Sequence, residues 1–407
     1  MRKLLLQGSS IFTVCVYKSA TVCVAFPSRK ATLRGALPYT VTVKMLYYHL
    51  HAPGRSRRQM ARKKQQMQHG DKPASLKTLA EHLGLSPATI SVVLNDVPGR
   101  SIPQATRDRI KAAAQKLNYQ PSLLARSLRN RRTHTIGILV PELGEGYHTQ
   151  VLSGVGDQLV QEGYFYFTAH HRHKPELVEQ YARLLVGRGA EGLILVDTAF
   201  QHNYPVPAVA VAAHRHIQGV TNVLLDQAKA AELALGHLYK LGHRSIAFMR
   251  GQPFSSDSED RWRSIENAAK KLGLVIDRAL VVQLDRDLTS PELGYPVVEQ
   301  LLAGGKRFTA LFSFNDVAAI GAIRALRDAK LRVPEDVSVM GFDDIRAAAF
   351  HTPSLTTIRQ PLEDMGRIAA RIVLSRIRNQ QAYGDEVAVE PALMARESTR
   401  EASWTPA

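Results

Sequence analysis

Apolar positions along this chain follow one period in its early part and another later. Between residues 75 and 83, Leu76, Leu79, Ala80 and Leu83 recur at i, i+3, i+4 and i+7, which lays one apolar face along a helix. Ser75 stands in its N-cap position and Gly84 follows its end. Ser86 followed by Pro87 is a second start signal, because proline at the first helical turn lacks only an N–H that has no partner there. In that second helix Ile90, Val93 and Leu94 turn back onto the first, and Pro87, Ala88, Ser91, Val92 and Asn95 are left facing outward. A third helix carries Ile110, Ala113, Ala114 and Leu117 on one face. From Thr135 onward the pattern changes to short apolar runs, IGILV, YFYF, GLILV, AVAVA, NVLL, SIAFM, VVQL, ALFSF and VSVMGF, separated by helical stretches. Such runs predict parallel strands buried between crossover helices.

Helix, glycine-containing turn and capped helix is the order of a helix-turn-helix, in which the second helix enters the major groove. The plain alternative is a helical hairpin in an α-rich domain. The chain around and beyond these helices separates the two. The segments LKTLAEHLGLSPATISVVLN, ATRDRIKAAAQKLNYQPSLLARSLR and THTIGILVPEL, continued by LGHRSIAFM, FSFNDVAAIGAIRALR, VPEDVSVMGFDDI, LTTIRQP and ARESTR, resemble the LacI/GalR family of bacterial transcriptional repressors. The likeness runs from about residue 74 to 400, in the family's order.

The charge distribution agrees with a DNA-binding front. Residues 1–133 hold 24 of the 53 Lys and Arg but 4 of the 36 Asp and Glu, so a net +20 lies ahead of a slightly acidic remainder in a chain of +17. A basic front on a near-neutral body is the footprint of a nucleic-acid binder, an anionic membrane surface being the other partner such charge suits. Residues 1–70 contain no Asp or Glu and lie outside the resemblance. Their start is charged and partly apolar, yet Lys18 interrupts the run and no cleavage pattern follows, unlike a signal peptide. The segment reads as a disordered basic extension or as a start assigned too far upstream, with Met60 and Met67 just before the first helix. Cys15 and Cys23 both fall there, so the matched body has no cysteine for disulfides or thiolate metal sites, as suits a cytoplasmic protein.

The resemblance implies an N-terminal all-α helix-turn-helix domain over residues 71–120, a hinge over 121–133, and an α/β two-lobed periplasmic-binding-protein-like (type I) effector domain with parallel sheets over 134–400. It implies a homodimer on pseudo-palindromic double-stranded operator DNA, held at the recognition helix by Ser86, Pro87, Ala88, Thr89, Ser91, Val92 and Asn95. In the hinge, Leu128 matches the leucine that the family wedges into the minor groove, with Ala125, Arg126 and Arg129 beside it, although a flexible basic linker has the same composition. For the effector, a sugar or sugar derivative, Arg261, Asn315 and Asp343 match family contacts at the carboxyl ends of strands, a set of hydroxyl partners and a donor fork that suits sugars or small anions, and Tyr147 offers a wall. Val92 stands where many members carry a polar base-reading residue. Ser264 replaces a common glycine, and the loop Gly144-Glu145-Gly146-Tyr147-His148 replaces an Asn-Pro-aromatic pattern. His170, His171 and His173 lie together without a carboxylate, so a solvated turn is favoured over a metal. No cofactor is expected. No dinucleotide, P-loop, nucleophile-elbow or zincin motif is present, so a regulator is favoured over an enzyme. A solute-binding protein of a transport system shares the implied body fold but would call for a signal peptide and no DNA-reading head.

Overall fold

The computed structural model describes residues 74–95, 100–119, 132–144, 146–199, 204–212, 218–255, 257–286, 290–380 and 383–402. It also describes the backbone of a two-residue antiparallel pair, β1 (Cys15–Val16) and β2 (Val22–Cys23). The rest of the 1–70 extension and the hinge residues Ala125, Arg126, Leu128 and Arg129 lie outside the described residues. The chain divides into two units, Met1–Pro121 and Ser122–Ala407.

Among the described residues the first unit contains three helices, α1 (Leu76–Leu83), α2 (Pro87–Leu94) and α3 (Gln104–Lys116). Their ends are fixed locally. Ser75 Oγ accepts from Thr78 N at 3.1 Å, and Gly84 at φ +64° closes α1 by donating its N–H to Ala80 O. Ser86 Oγ accepts from Thr89 N at 3.1 Å and opens α2 two residues later. Leu79, Ile90, Val93 and Ile110 are fully buried where the three helices meet, and Ala80, Ala113 and Ala114 fill the remaining space. Arg109 then ties α3 to α1, its Nη2 donating to Leu83 O at 2.7 Å.

In the second unit the apolar runs become two six-stranded sheets. The first lobe has β3 (Thr135–Val140), β4 (Phe165–His170), β5 (Gly192–Val196), β6 (Ala208–Val211), β7 (Thr221–Leu225) and β13 (Glu386–Val389), in the order β13-β7-β6-β5-β3-β4 with every pair parallel. The second has β8 (Ile246–Arg250), β9 (Val281–Gln283), β10 (Ala310–Phe312), β11 (Ser338–Asp343), β12 (Thr356–Arg359) and β14 (Ala392–Met394), in the order β14-β12-β11-β10-β8-β9, with only β14 antiparallel to its neighbour. The chain passes between lobes after β7, after β12 and between β13 and β14. Strands covered by helices on both faces bury every residue, as β3, β5 and β11 do. Strand β4 differs: it is the sheet edge, and Phe165 and Phe167 on its outer face are 61% and 43% exposed.

Helices α4 (Tyr147–Gln161) and α11 (Leu362–Ile377) cover the first sheet and touch backbone to backbone. A Cβ on Gly154 would lie 1.8 Å from Glu363 O, and one on Gly366 would lie 2.2 Å from Val151 O, so both glycines are needed for the approach. We predict that Gly366→Ala forces these helices apart at a cost of about 2–3 kcal/mol, which lowers the melting temperature by roughly 5–10 °C. Gly187→Ala is the control, since nothing lies within 4 Å of its Cβ. A melt of Gly366→Ala no lower than that of the control would show that the contact tolerates a side chain.

Candidate functional site

The carboxyl ends of the strands in both lobes carry the polar groups that sequence reasoning pointed to. Arg261 lies on α7 (Ser258–Lys271), the helix after β8, and is 3% exposed. Its three nitrogens are all engaged: Nε with Gln227 Oε1 at 3.2 Å, Nη1 with Phe314 O at 2.7 Å, and Nη2 with Asp257 Oδ2 at 3.0 Å. Its guanidinium also lies over the rings of Phe342 and Phe314, 3.6 and 4.4 Å from their centroids. An arginine can be buried only when its donors are met, and here the cap of its own helix, the start of the helix at Gln227 and the backbone after β10 meet them.

Asp343 closes β11 at φ +115°, a left-handed backbone that costs energy for any residue but glycine. Its Oδ1 accepts from Gln360 Nε2 at 2.7 Å. Burial pushes its carboxyl up to about 7 against the opposing pull of Arg261 and Gln360, and the charge of Asp257 adds to the rise. Asp257 is likewise pushed up to about 6 by burial, with Arg261 pulling down and Asp197 pushing up. Tyr147 opens α4 in the first lobe, and its hydroxyl is buried without a partner. Burial raises that hydroxyl well above its ordinary value, and the charges of Asp257, Asp197 and Asp343 add to the rise. Tyr147, Arg261 and Asp343 are therefore brought into one another's fields across the two lobes. Asn315 is placed differently. It caps α9 (Asp316–Asp328), its Oδ1 accepting from Ala318 N at 2.8 Å, so that oxygen is already committed to the helix.

Several residues here escaped the sequence reading. Asp316 is fully buried and accepts from Thr357 Oγ1 at 2.6 Å and Ile345 N at 2.9 Å, and Gly341 leaves the room, since a Cβ there would lie 2.1 Å from its Oδ1. Its only sequence signal was its place after Asn315. Asp257 precedes Arg261 by four positions, the helical pairing distance, and could have been found on that ground. His148 sits 3.4 Å from Asp197 and 4.0 Å from Glu142. The histidines at the end of β4 and just past it serve different ends. His170 is exposed, whereas His171 is 2% exposed and shares a 2.9 Å hydrogen bond with Thr198 Oγ1. Burial first, then His173, pushes His171 down to about 4. His173 packs at a tilt against Phe254 of the other lobe, their centroids 4.4 Å apart, bridging the cleft. Among the described residues no cluster of three or more His, Cys, Asp or Glu is placed to hold a metal.

On the three-helix unit, Pro87 and Ala88 of α2 are exposed, while Thr89, Ser91, Val92 and Asn95 are half-buried rather than fully outward. A helix of two turns with Ile90 and Val93 in the core leaves only a narrow free face. Ser86 is exposed, but its Oγ caps the helix, and Asn95 Nδ2 donates to Ser91 O at 2.7 Å. Ala88 and Val92 thus bring shape to that face rather than hydrogen-bonding groups.

Comparison with known proteins places both units. Residues 75–122 match the model of the bacterial regulatory proteins of the lacI family, and residues 235–399 match a periplasmic binding protein-like domain. The HTH-type transcriptional repressor PurR of Haemophilus influenzae is 32% identical over 340 residues, covering 80% of this chain and 99% of that protein. The repressor of the same name from Aliivibrio fischeri is 31% identical over 335 residues, covering 80% and 98%. Among solved structures, the transcriptional regulator CelR in complex with cellobiose is 28% identical with a TM-score of 0.58, covering 80% of this chain and 99% of that one. The lac repressor dimer bound to operator and an anti-inducer is 24% identical with a TM-score of 0.72, covering 81% and 100%, and speaks for the fold.

The raised carboxyl of Asp343 gives a test with a fixed sign. A carboxyl raised from 3.8 to about 7 on folding stabilises fully below pH about 4, and that contribution is lost as the pH rises toward 7. Asp343→Asn keeps an acceptor for Gln360 and removes the titration. Melting temperatures of the variant minus those of the parent should rise between pH about 4 and 7 and then level off. A difference that stays flat over that window would show that Asp343 is not buried against other acids as described.

Proposed function

The chain belongs to the lacI family of bacterial regulatory proteins, and we propose that it is a dimeric cytoplasmic repressor, working on the nucleoid, whose grip on a two-fold operator is set by a small effector held between its lobes. The observation that carries this reading is the order of parts: a capped three-helix unit matching the family's regulatory domain, followed by a two-lobed α/β body. A DNA-reading head has no task in a solute-binding protein for transport, and no helix among the described residues is long and apolar enough to cross a membrane. The relatives it matches are named as transcriptional repressors rather than enzymes.

On DNA, Pro87, Ala88, Thr89, Ser91 and Val92 meet base edges, with Ser86 and Asn95 at the two ends of the helix, and the basic residues around them meet phosphates. In the hinge, Ala125, Arg126, Leu128 and Arg129 enter the minor groove, Leu128 as a wedge that unstacks a base step. The effector is a sugar or a derivative of one, as for the regulator solved with cellobiose, and Tyr147, Arg261, Asn315 and Asp343 line its cleft. Asn315 takes part through its amide nitrogen, its oxygen being committed to the cap. Effector and operator are coupled because both depend on how the lobes are set, by about 1–3 kcal/mol in typical cases.

The second subunit docks on the edge of the first lobe. Phe165 and Phe167 stand on one face of an edge strand, their rings 5.0 Å apart, and Val160 nearby is 68% exposed. An apolar edge left open is an aggregation hazard unless a partner covers it, and a second copy of this chain is the occupant we assign. In the double variant Phe165→Glu, Phe167→Glu the dimer should fall apart to monomers by light scattering, and operator affinity should fall by at least about a hundredfold, since each half-site then binds alone. A dimer that survives both charges would place the interface elsewhere.

The hinge is tested separately. Leu128→Ala should keep most salt-sensitive binding to random DNA, since the phosphate contacts remain, while losing most of the operator bend and much of the preference for the operator. The bend is read by FRET between duplex ends, beside competition against random DNA. Equal bending and equal discrimination in the variant would reduce this segment to a tether.

A further inference from the structure

Helix α2, the recognition helix, lacks the groups with which proteins most often tell base pairs apart. Its sequence, PATISVVL, has no charged residue and no side-chain amide. Asn95, which follows it, has its Nδ2 turned back on the helix, donating to Ser91 O at 2.7 Å and to Ser91 Oγ at 3.3 Å. In that position it cannot present amide nitrogen and oxygen together to an adenine. Ser86 and Thr89 share a hydrogen bond between their hydroxyls at 2.9 Å, and Ser86 Oγ also accepts the Thr89 N–H. A hydroxyl both donates and accepts, so it meets either kind of base edge and discriminates little.

Apolar surface is what the outer face of α2 offers instead. Pro87 and Ala88 are exposed and Val92 is half-buried, while Ile90 and Val93 lie in the core. Ala88 and Val92 are one helical turn apart, hence neighbours on one side of α2, about 6 Å from each other along its axis. Successive bases on a strand are about 3.4 Å apart along a duplex, so these two side chains fall within about two base steps of each other. All three residues are stiff. Pro87 is a closed ring, Ala88 has no rotamers to lose, and Val92, being β-branched, has one strongly preferred rotamer in a helix. Holding them against a partner therefore costs little entropy. In the major groove, the apolar group that differs between base pairs is the 5-methyl of thymine.

We propose that α2 reads its operator half-site through the 5-methyl groups of thymine, with Ala88 and Val92 each packed on one such methyl and the two thymines within about two base steps of each other. The inference rests on the reading that α2 meets base edges, and it says which feature of those edges is read. A helix carrying Arg, Asn or Gln takes its specificity from base acceptors and donors, whereas this helix takes it from contact with a methyl group. Two properties follow from that chemistry. The contact is indifferent to the N7 acceptor of the paired adenine. It also prefers 5-methylcytosine to cytosine, because the added methyl stands where that of thymine does.

The probe is the palindromic duplex that the full-length protein enriches from a pool of random DNA. Each half-site thymine is replaced in turn by uracil, which lacks only the methyl, and each paired adenine by 7-deazaadenine, which lacks only the N7 acceptor. Two thymines in a half-site should each lose about fourfold in affinity as uracil, the worth of one methyl kept from water. Changing the same position in both half-sites should cost about fifteenfold. The deaza base opposite those thymines should change nothing, and 5-methylcytosine placed there should bind about fourfold tighter than cytosine. Val92→Ala should erase most of the thymine–uracil difference at one of the two positions and leave it at the other. The measurements on the parent protein need no variant, and Val92→Thr, of the same shape, stands in if Val92→Ala does not fold. A half-site indifferent to uracil, one that loses as much from the deaza base, or a uracil loss unchanged in the Val92 variant overturns the inference. In those cases α2 remains a base reader if the Val92 variant enriches a different sequence. No enriched sequence, or one that neither a Val92 variant nor Ala88→Ser alters, overturns that wider reading too.

Discussion

The geometry of the cleft depends on keeping one guanidinium out of water. Moving such a charge into a protein interior costs several kcal/mol unless its donors are all met. For Arg261 they are met by Asp257 on its own helix, by the carbonyl of Phe314 after β10, and by Gln227 at the first crossing between lobes. Two aromatic faces, Phe314 and Phe342, complete the enclosure. The ends of β10 and β11 are thereby drawn to a common point, and Asn315, Asp316 and Asp343 take their places from it. An arginine that the sequence marks as a ligand contact is thus also an internal fastener. Its loss would leave Asp257 and Phe314 O without a partner, so an altered ligand response in an Arg261 variant has two sources. A change at Asp257 has the same two sources, since it weakens the hold on the buried guanidinium.

What was legible in the sequence was whatever local rules determine. Ser75, Gly84, Ser86 and Pro87 mark helix ends by chemistry confined to a few residues, and the structure places the helix boundaries beside them. The apolar runs from IGILV to VSVMGF became strands because residues buried on both faces leave a continuous apolar signal. The YFYF run lies in β4, but at the sheet edge, and a run of four apolar residues does not reveal which strands will have only one neighbour. Half of each site's chemistry was also out of reach. Asp197 and Asp257 enter one another's fields through sequence positions sixty residues apart, and Gln360 reaches Asp343 across seventeen. No periodicity encodes such pairs. Asp257 was the exception, since its spacing from Arg261 along a helix could have been read.

The chain separates two opposite electrostatic tasks by position. Its front third carries the whole positive excess, which suits a polyanion whose affinity grows with the number of phosphates neutralised. Its body is near neutral overall, yet gathers carboxylates at the strand ends of both lobes.

The glycines at 154 and 366 carry a mechanical consequence. Because they let α4 and α11 meet through their backbones, the two helices have no side-chain layer between them to act as a cushion. Helix α4 begins at Tyr147, at the mouth of the cleft, and α11 begins just past Gln360 and Pro361, where the chain passes from one lobe to the other. The pair therefore forms one stiff strut that ties the start of α4 at Tyr147 to the passage beside Gln360.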